Sequence, residues 1–423
     1  MQQLLYKSGA SRTRITLPPR TLLRLDRMSS EYPYHVLVVG AGITGLLIAQ
    51  GLKKNGIACT VFESEPSATH YRAREWGMSI QWGIPLLRDC LPDDLFNRLY
   101  TAANDPSFEP PDPGKLPTLN GKTGELMKDI PLLRMYRVSR RKFRLLCAEG
   151  IQVEYGKILK DITYDDTQST VTAIFTDGSQ ATGSLLVGAD GAQSAVRTHI
   201  FGPEKAKASS VPYSALNLAV CYNDAEKAKF VRQLHPIMAM AIHPDGYWLW
   251  ISIQDTPDPN DPATWMFQLQ TTGHKKPGED VTSLENLKKK AETFAEPFRS
   301  ANLWIPEGTK IYENNLSYWI PVPWDTRGGR ILIAGDAAHP MTFHRGQGMN
   351  HGIADASYLA RKLKSAVAGE TSYAEAVDAY QAEMIDRAGD EVRTSVANTE
   401  MLHDWSRMMN SAIMQRGGHP REK

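Results

Sequence analysis

HVLVVGAGITGLLIAQGLKKNGIACTVFE, residues 35–63, decides the fold. His35 to Val39 reads as a buried strand, residues 44–55 as a helix with Gly56 as its stop signal, and residues 58–62 as a second strand. Strand, helix and strand together make a βαβ unit. Gly40, Gly42 and Gly45 satisfy GxGxxG at the first turn, and Glu63 follows Gly42 by 21 residues. The first glycine permits a tight turn, the second lets backbone approach a pyrophosphate, and the third allows close helix packing. The acid then suits ribose hydroxyls. The ordered series of strand, glycines, helix, strand and acid points to a dinucleotide site rather than a purely structural turn. It does not separate NAD from FAD.

A second stretch, ILIAGDAAHPMTFHRGQGMN at 331–350, repeats the theme. Its first three residues form a short apolar strand. Gly335 permits a tight exit, and Asp336 places a carboxylate at the strand's end, where open α/β sheets bind ligands. Gly346, Gln347 and Gly348 then open a helix, whose unpaired N–H groups and partial positive charge suit an anion or an electron-rich ring edge.

Between these stretches the pattern changes. Residues 153–189 read as antiparallel strands turning at Asp177-Gly178, followed by a buried run at 185–189. Residues 206–328 contain aromatic-rich strands around the turn Pro244-Asp245-Gly246 and read as a mainly antiparallel sheet. Helices are expected from Gly348 to about Lys364 and from Tyr373 to about Asn398.

Composition narrows the function. A chain of 423 residues predicts two or three domains. Lys plus Arg number 48 against 47 Asp plus Glu, so no electrostatic footprint for nucleic acid or an anionic membrane exists. A small organic molecule is the expected partner, for a monomer or homodimer. Cys59, Cys90, Cys147 and Cys221 show neither disulfide nor metal spacing, which fits a reducing, cytoplasmic setting and no metal. Residues 36–49 are apolar but shorter than the ~20 needed to span a bilayer, so no stable membrane insertion is expected. Residues 1–27 are basic and acid-poor, a composition that suits either a dispensable extension or a transit peptide.

Three separated segments resemble the single-component (class A) flavoprotein monooxygenases of the para-hydroxybenzoate hydroxylase type, particularly fungal secondary-metabolite members. They are the fingerprint with Glu63, GADGAQSAVR at 188–197, and AGDAAHP followed by GQGMN. The resemblance implies FAD as cofactor, NAD(P)H as reductant, and dioxygen captured as a flavin C4a-hydroperoxide. The expected reaction is hydroxylation or epoxidation of an aromatic, polyketide, indole or terpenoid compound. The implied fold is α/β: a Rossmann-like FAD-binding domain of GR2 type (31–75, 130–205 and 328–370) with an inserted, mainly antiparallel substrate domain (76–129 and 206–327). A flexible extension (1–30) and a C-terminal helical segment (371–423) flank them.

By the same resemblance Asp190 and Gly191 lie near the pyrophosphate and are linked to NAD(P)H use. Asp336 holds a ribityl hydroxyl, Pro340 sits beside the flavin C4a edge, and Arg140, or its neighbour Arg141, contacts the cofactor. Arg74 is brought near cofactor or substrate. The helix start with Gly346, Gly348, Met349 and Asn350 offers backbone N–H groups to the charge that reduction leaves near flavin N1 and C2=O. Phe343, His344 and Arg345 depart from the proline-rich spacing of bacterial hydroxylases, so His344 reads as a proton relay, a substrate contact or a member of the loop's own hydrogen bonding. Tyr213, Trp248, Trp250, Trp265 and Phe267 are either a stacking face for a flat substrate or ordinary sheet core. Two other readings stay open, a flavin oxidase or reductase without oxygen insertion and a non-catalytic protein like the Rab GDP-dissociation inhibitors.

Overall fold

The computed structural model describes residues 34–70, 75–275, 278–411 and 414. Both the expected extension at 1–30 and Arg74 lie outside the described residues. The opening stretch folds as β1 (His35–Val39), α1 (Ile43–Lys54) and β2 (Ala58–Glu63), within one residue of each expected boundary. Further along lie α2 (Arg140–Ala148), β3 (Val153–Tyr155), β4 (Leu185–Gly188), α3 (Ala195–Ala206), β5 (Ile331–Ile333), α4 (Gly348–Val367) and α5 (Tyr373–Leu402). The five strands form one parallel sheet in the order β5-β4-β1-β2-β3.

Val36, Val38, Leu186, Val187 and Leu332 have no exposed surface, which is why these strands read as unbroken apolar runs. Cover comes from α1 packed on α4 and from a three-stranded antiparallel sheet, Leu159–Asp165, Thr170–Phe175 and Gln180–Gly183. The helices approach closely: a Cβ at Gly51 would lie 2.9 Å from the Ala360 Cβ. Phe62 and Phe175, with ring centroids 4.8 Å apart, join the two sheets.

The seven-stranded sheet runs Tyr312–Tyr318, Ser209–Cys221, Met266–His274, Tyr247–Asp255, Met238–His243, Gly114–Asn120 and Leu126–Leu132. All its pairings are antiparallel except that of Met238–His243 with Gly114–Asn120. Strand alternation sorts its side chains. Leu249, Ile251, Ile253, Phe267 and Leu269 pack with Leu287, Phe294 and Phe298 in one core. On the other face Met240, Ile242 and Trp248 pack with Leu402 and Met408. A two-stranded ribbon, Gly77–Ile80 with Tyr136–Ser139, connects the sheets, since the Gly77 N–H donates to Gln268 at 3.0 Å while Asn350 of α4 donates to the Ser79 carbonyl at 3.1 Å.

This ribbon changes the expected division. The boundary at 129/130 falls inside Leu126–Leu132, and residues 77–80, assigned to the second domain, pair with 136–139, assigned to the first. From Tyr34 onward the described residues make one unit rather than two or three. No described helix is long and apolar enough to cross a membrane. All four cysteines are free thiols.

Candidate active site

The C-terminal ends of β1, β4 and β5 converge with the starts of α1 and α4. Gly40 adopts φ +108°, and a Cβ there would meet the Ala189 carbonyl oxygen at 2.4 Å. At Gly45 a Cβ would stand 2.0 Å from the Gly40 oxygen. Protein packing therefore accounts for both glycines. Gly42 differs, because it caps α1 at an ordinary φ of −69° and a Cβ there would meet nothing within 4 Å. Gly191 is likewise open on that side. Space beside Gly42 at an uncapped helix start fits the pyrophosphate of a dinucleotide.

Glu63 faces this turn. Its carboxylate accepts the Ala41 N–H at 2.8 Å and the Glu65 N–H at 2.9 Å. Arg144, one turn beyond Arg140 on α2, donates to the Ala41 carbonyl at 2.7 Å and to Glu65 at 2.7 Å. A cleft of about 520 Å³, counting space open to solvent, runs past Glu65, Arg140, Arg144 and Tyr155. The sequence reading missed Arg144, although its spacing of four from Arg140 on one helix face was a usable signal.

Asp190 supports the start of α3, whose N-cap is Ser194: it accepts the Ser194 hydroxyl at 2.5 Å and the Ala195 N–H at 2.7 Å, and burial raises its pKa despite these bonds. Asp336 lies in a short turn after β5. Its side chain keeps exposed surface, yet the surrounding protein desolvates it and raises its pKa, against the opposing pull of His339, Arg140 and Arg197. Arg140, whose guanidinium lies 5.0 Å from the Trp76 ring, is thus the arginine of the Arg140-Arg141 pair whose charge reaches Asp336. A Cβ at Gly348 would lie 3.9 Å from the Asp336 carboxylate, so that group and the α4 start face one space. Gly335, at φ +60°, leaves room for Thr44 of α1, which a Cβ there would approach to 2.7 Å.

The Asn350 side chain is fully engaged within the chain. It accepts from Gln81 and Gly83 N–H groups at 2.8 and 3.2 Å and donates to the Ser79 and Gly346 carbonyls. Trp82 donates to Gln347 at 2.8 Å. These bonds hold the ribbon against the α4 start.

Beneath Asp336 lies a network with no local sequence signal. Asp355 accepts the Gly335 N–H at 2.6 Å and Arg387 at 2.8 Å, and it pairs with His339 at 2.7 Å. Burial alone would raise the Asp355 pKa, but His339 and Arg387 hold it well below the ordinary carboxylate value. His351, 2.9 Å from Arg387, is lowered to about 3 by burial and by neighbouring His339 and Arg387. Pro340 is buried, and its carbonyl accepts the Trp319 N–H at 3.0 Å.

Phe343–Arg345 forms a short 3₁₀ turn between the sheet and α5. Both His344 ring nitrogens are engaged, with Thr272 at 3.0 Å and Thr399 at 2.9 Å, and burial beside His403 pushes its pKa well below the usual value. Arg345 donates to Glu391 of α5 at 2.7 Å. Of the strand aromatics, Trp248 and Trp250 stack at 5.5 Å, with Trp248 4.8 Å from His344. Phe267 belongs to the opposite face, against Tyr222, and Arg232 covers Trp265. Tyr213 stacks on His403 at 4.1 Å.

The model of the FAD binding domain family matches residues 144–395, and that of the FAD-dependent oxidoreductases matches residues 35–197. The FAD-dependent monooxygenase phnB of Penicillium herquei is 43% identical over 391 residues, covering 91% of this chain and 95% of its own. The FAD-dependent monooxygenase cctM of Talaromyces islandicus is 40% identical over 385 residues, covering 90% and 96%. Among solved structures, Klebsiella pneumoniae HpxO in complex with FAD and uric acid superposes with a TM-score of 0.70 at 22% identity, covering 90% of this chain and 92% of that one.

Proposed function

The chain belongs to the FAD-dependent monooxygenases of the FAD binding domain family, and from that premise we propose that it uses NAD(P)H and dioxygen to hydroxylate or epoxidise a planar aromatic or polyketide-type small molecule. The observation that carries the substrate class is the half-buried Trp250, backed by the buried Trp248 stacked at 5.5 Å, on the sheet face that carries the 343–345 turn. A half-buried indole on that face suits a flat ring system better than an aliphatic terpenoid. The flat uric acid bound by HpxO is in keeping with this choice.

FAD, when bound, supplies the redox chemistry, carrying reducing equivalents from nicotinamide to dioxygen. The residues supply position and field. Gly40, Gly42 and Gly45 would bring the start of α1 to the pyrophosphate, with Asp190 and Gly191 alongside, and Glu63 would take the adenosine ribose. Asp336 would hold the ribityl chain of the flavin, and Arg140 and Arg144 line the cleft that would take the adenosine end. Backbone N–H groups at Gly348 and Met349 would favour negative charge on a flavin ring edge, through the dipole of a 20-residue helix. Pro340 fixes the neighbouring loop, whose carbonyl is tied to Trp319. His344, neutral and held at both nitrogens, positions the 343–345 turn rather than exchanging protons.

The test is product mass. Purified, flavin-loaded enzyme is supplied with NAD(P)H, labelled dioxygen and planar aromatic candidates. Monooxygenation places one labelled oxygen in the product, whereas an oxidase or reductase yields product without label and the monooxygenase reading fails.

A further inference from the structure

Arg137, in the ribbon strand Tyr136–Ser139, is 8% exposed and has no carboxylate partner among the described residues. Its Nη1 donates to the Ser79 hydroxyl at 3.2 Å and its Nη2 to Gln268 at 2.8 Å, while Nε is buried without any partner. A guanidinium carries about five N–H donors, and here the Nε–H has no hydrogen-bond partner at all. A buried cation without a counter-charge is among the costlier arrangements in a protein interior. Burial alone pulls this guanidinium down to about 9.

Its place gives the arrangement a purpose. Arg137 lies 5.2 Å from the Trp250 ring, on the face that carries the stacked indoles. Ser79, its first partner, is the side chain that a Cβ at Gly346 would approach to 3.8 Å, so the guanidinium stands one side chain from the turn before α4. Gln268, 2% exposed, accepts from both Arg137 and the Gly77 N–H and donates to Asn217 at 3.0 Å. Gln268 is thereby a positioning residue that holds the cation in register with the sheet.

We propose that Arg137 is the anion-recognising residue of the substrate site and that the substrate is a planar aromatic carrying an ionised oxygen, which takes the counter-charge position beside its guanidinium. The inference rests on the reading of the Trp248 and Trp250 face as the substrate side. Arginine suits the task because its planar fork stays charged and binds a carboxylate or phenolate while stacking on an aromatic ring.

The test titrates flavin-loaded enzyme with naphthoate, its neutral carboxamide, naphthol and methoxynaphthalene, following tryptophan fluorescence and the flavin spectrum at equilibrium. Naphthoate is expected to bind about tenfold to a hundredfold tighter than the carboxamide, the worth of a hydrogen-bonded charge. Arg137→Gln should bring the two within about twofold, and Arg137→Lys should retain part of the preference. Naphthol binding that tightens as pH rises through its own ionisation assigns the oxyanion to a phenolate, and a preference confined to naphthoate assigns it to a carboxylate. Equal binding of charged and neutral probes by the unaltered enzyme overturns the proposal. So does a preference that survives Arg137→Gln, or a variant that loses FAD with its selectivity intact. If only Arg137→Lys folds, an unchanged preference overturns the proposal and a several-fold loss supports it. Because the readout is binding, it stands apart from the labelled-oxygen test, where failure would instead remove the monooxygenase reading.

Discussion

The two ends of the site are built on different principles. At the cofactor end the determinants are backbone: Gly40 and Gly45 are required by carbonyl oxygens 2.4 and 2.0 Å from where a Cβ would stand, and α1 and α4 present their first turns. At the proposed substrate end they are side chains far apart in sequence. Arg137 meets Gln268 and Trp250, and His344 meets Thr272 and Thr399. Backbone requirements restrict residue type within a short window, whereas side-chain assemblies leave no local mark.

The sharpest way to break this comparison lies within one motif. Gly45→Ala drives a methyl group into the Gly40 carbonyl and is expected to abolish a folded product, seen as loss of soluble, cooperatively unfolding protein. Gly42→Ala places its methyl where the protein has nothing within 4 Å, at a φ that alanine adopts freely. That variant should keep its unfolding midpoint as apoprotein and lose flavin absorbance on gel filtration. If both variants fold and hold flavin alike, the division of labour among the glycines is wrong.

Next in size is the buried network under β5. Asp355→Asn removes the charge that balances Arg387 and pairs with His339, with an expected cost of about 3 kcal/mol in urea unfolding. The sign with pH follows from the lowered carboxyl. Asp355 stabilises the fold above its unfolded pKa of about 4, and that contribution fades as pH falls below it toward the folded value. The unaltered chain should therefore lose more stability than Asp355→Asn on acidification below about pH 4.

How much was legible follows the same divide. The unit of β1, α1 and β2, the hairpin turns at Asp177-Gly178 and Pro244-Asp245-Gly246, and the start of α4 were readable because periodicity and turn chemistry are local. The division at 129/130 was misread because the ribbon pairs residues 77–80 with 136–139 across about sixty intervening positions, which no window detects. For the same reason His339 gave no sign of Asp355 and Arg387, and Arg137 read as one more strand residue. The strand aromatics, open in the sequence between a stacking face and sheet core, divide between the two faces: Phe267, opposite Ile253, turns to the helix-covered core, and Trp248 and Trp250 lie on the other side.

The substrate end offers a milder test through its histidines. Burial lowers His403 to about 4, and its ring meets Thr272 at 2.7 Å and the Thr399 carbonyl at 2.7 Å. Between that value and the unfolded pKa of about 6.5 the unfolded chain binds a proton that the folded one does not, so stability is full above about 6.5 and falls as pH drops through the window. His403→Gln should reduce the loss between about pH 7 and pH 5 by roughly 1–2 kcal/mol, read from urea midpoints at each pH. An unchanged slope would place the acid sensitivity with His344 or His351 instead.

The smallest effect is expected where the two ends meet. Ser139 closes the ribbon strand that carries Arg137 and caps α2, which carries Arg140 and Arg144; its hydroxyl accepts the Lys142 N–H at 3.3 Å and donates to Glu75 at 3.2 Å. Ser139→Ala should cost about 1 kcal/mol, the usual worth of an N-cap. Its consequence for binding discriminates between the ends. A frayed α2 moves Arg140 and Arg144, so FAD affinity should fall by less than about tenfold, whereas Arg137, held independently by Ser79 and Gln268, should keep its preference for a charged aromatic probe. Loss of that preference together with FAD affinity would mean that the two ends share one support at Ser139 and are not separately built.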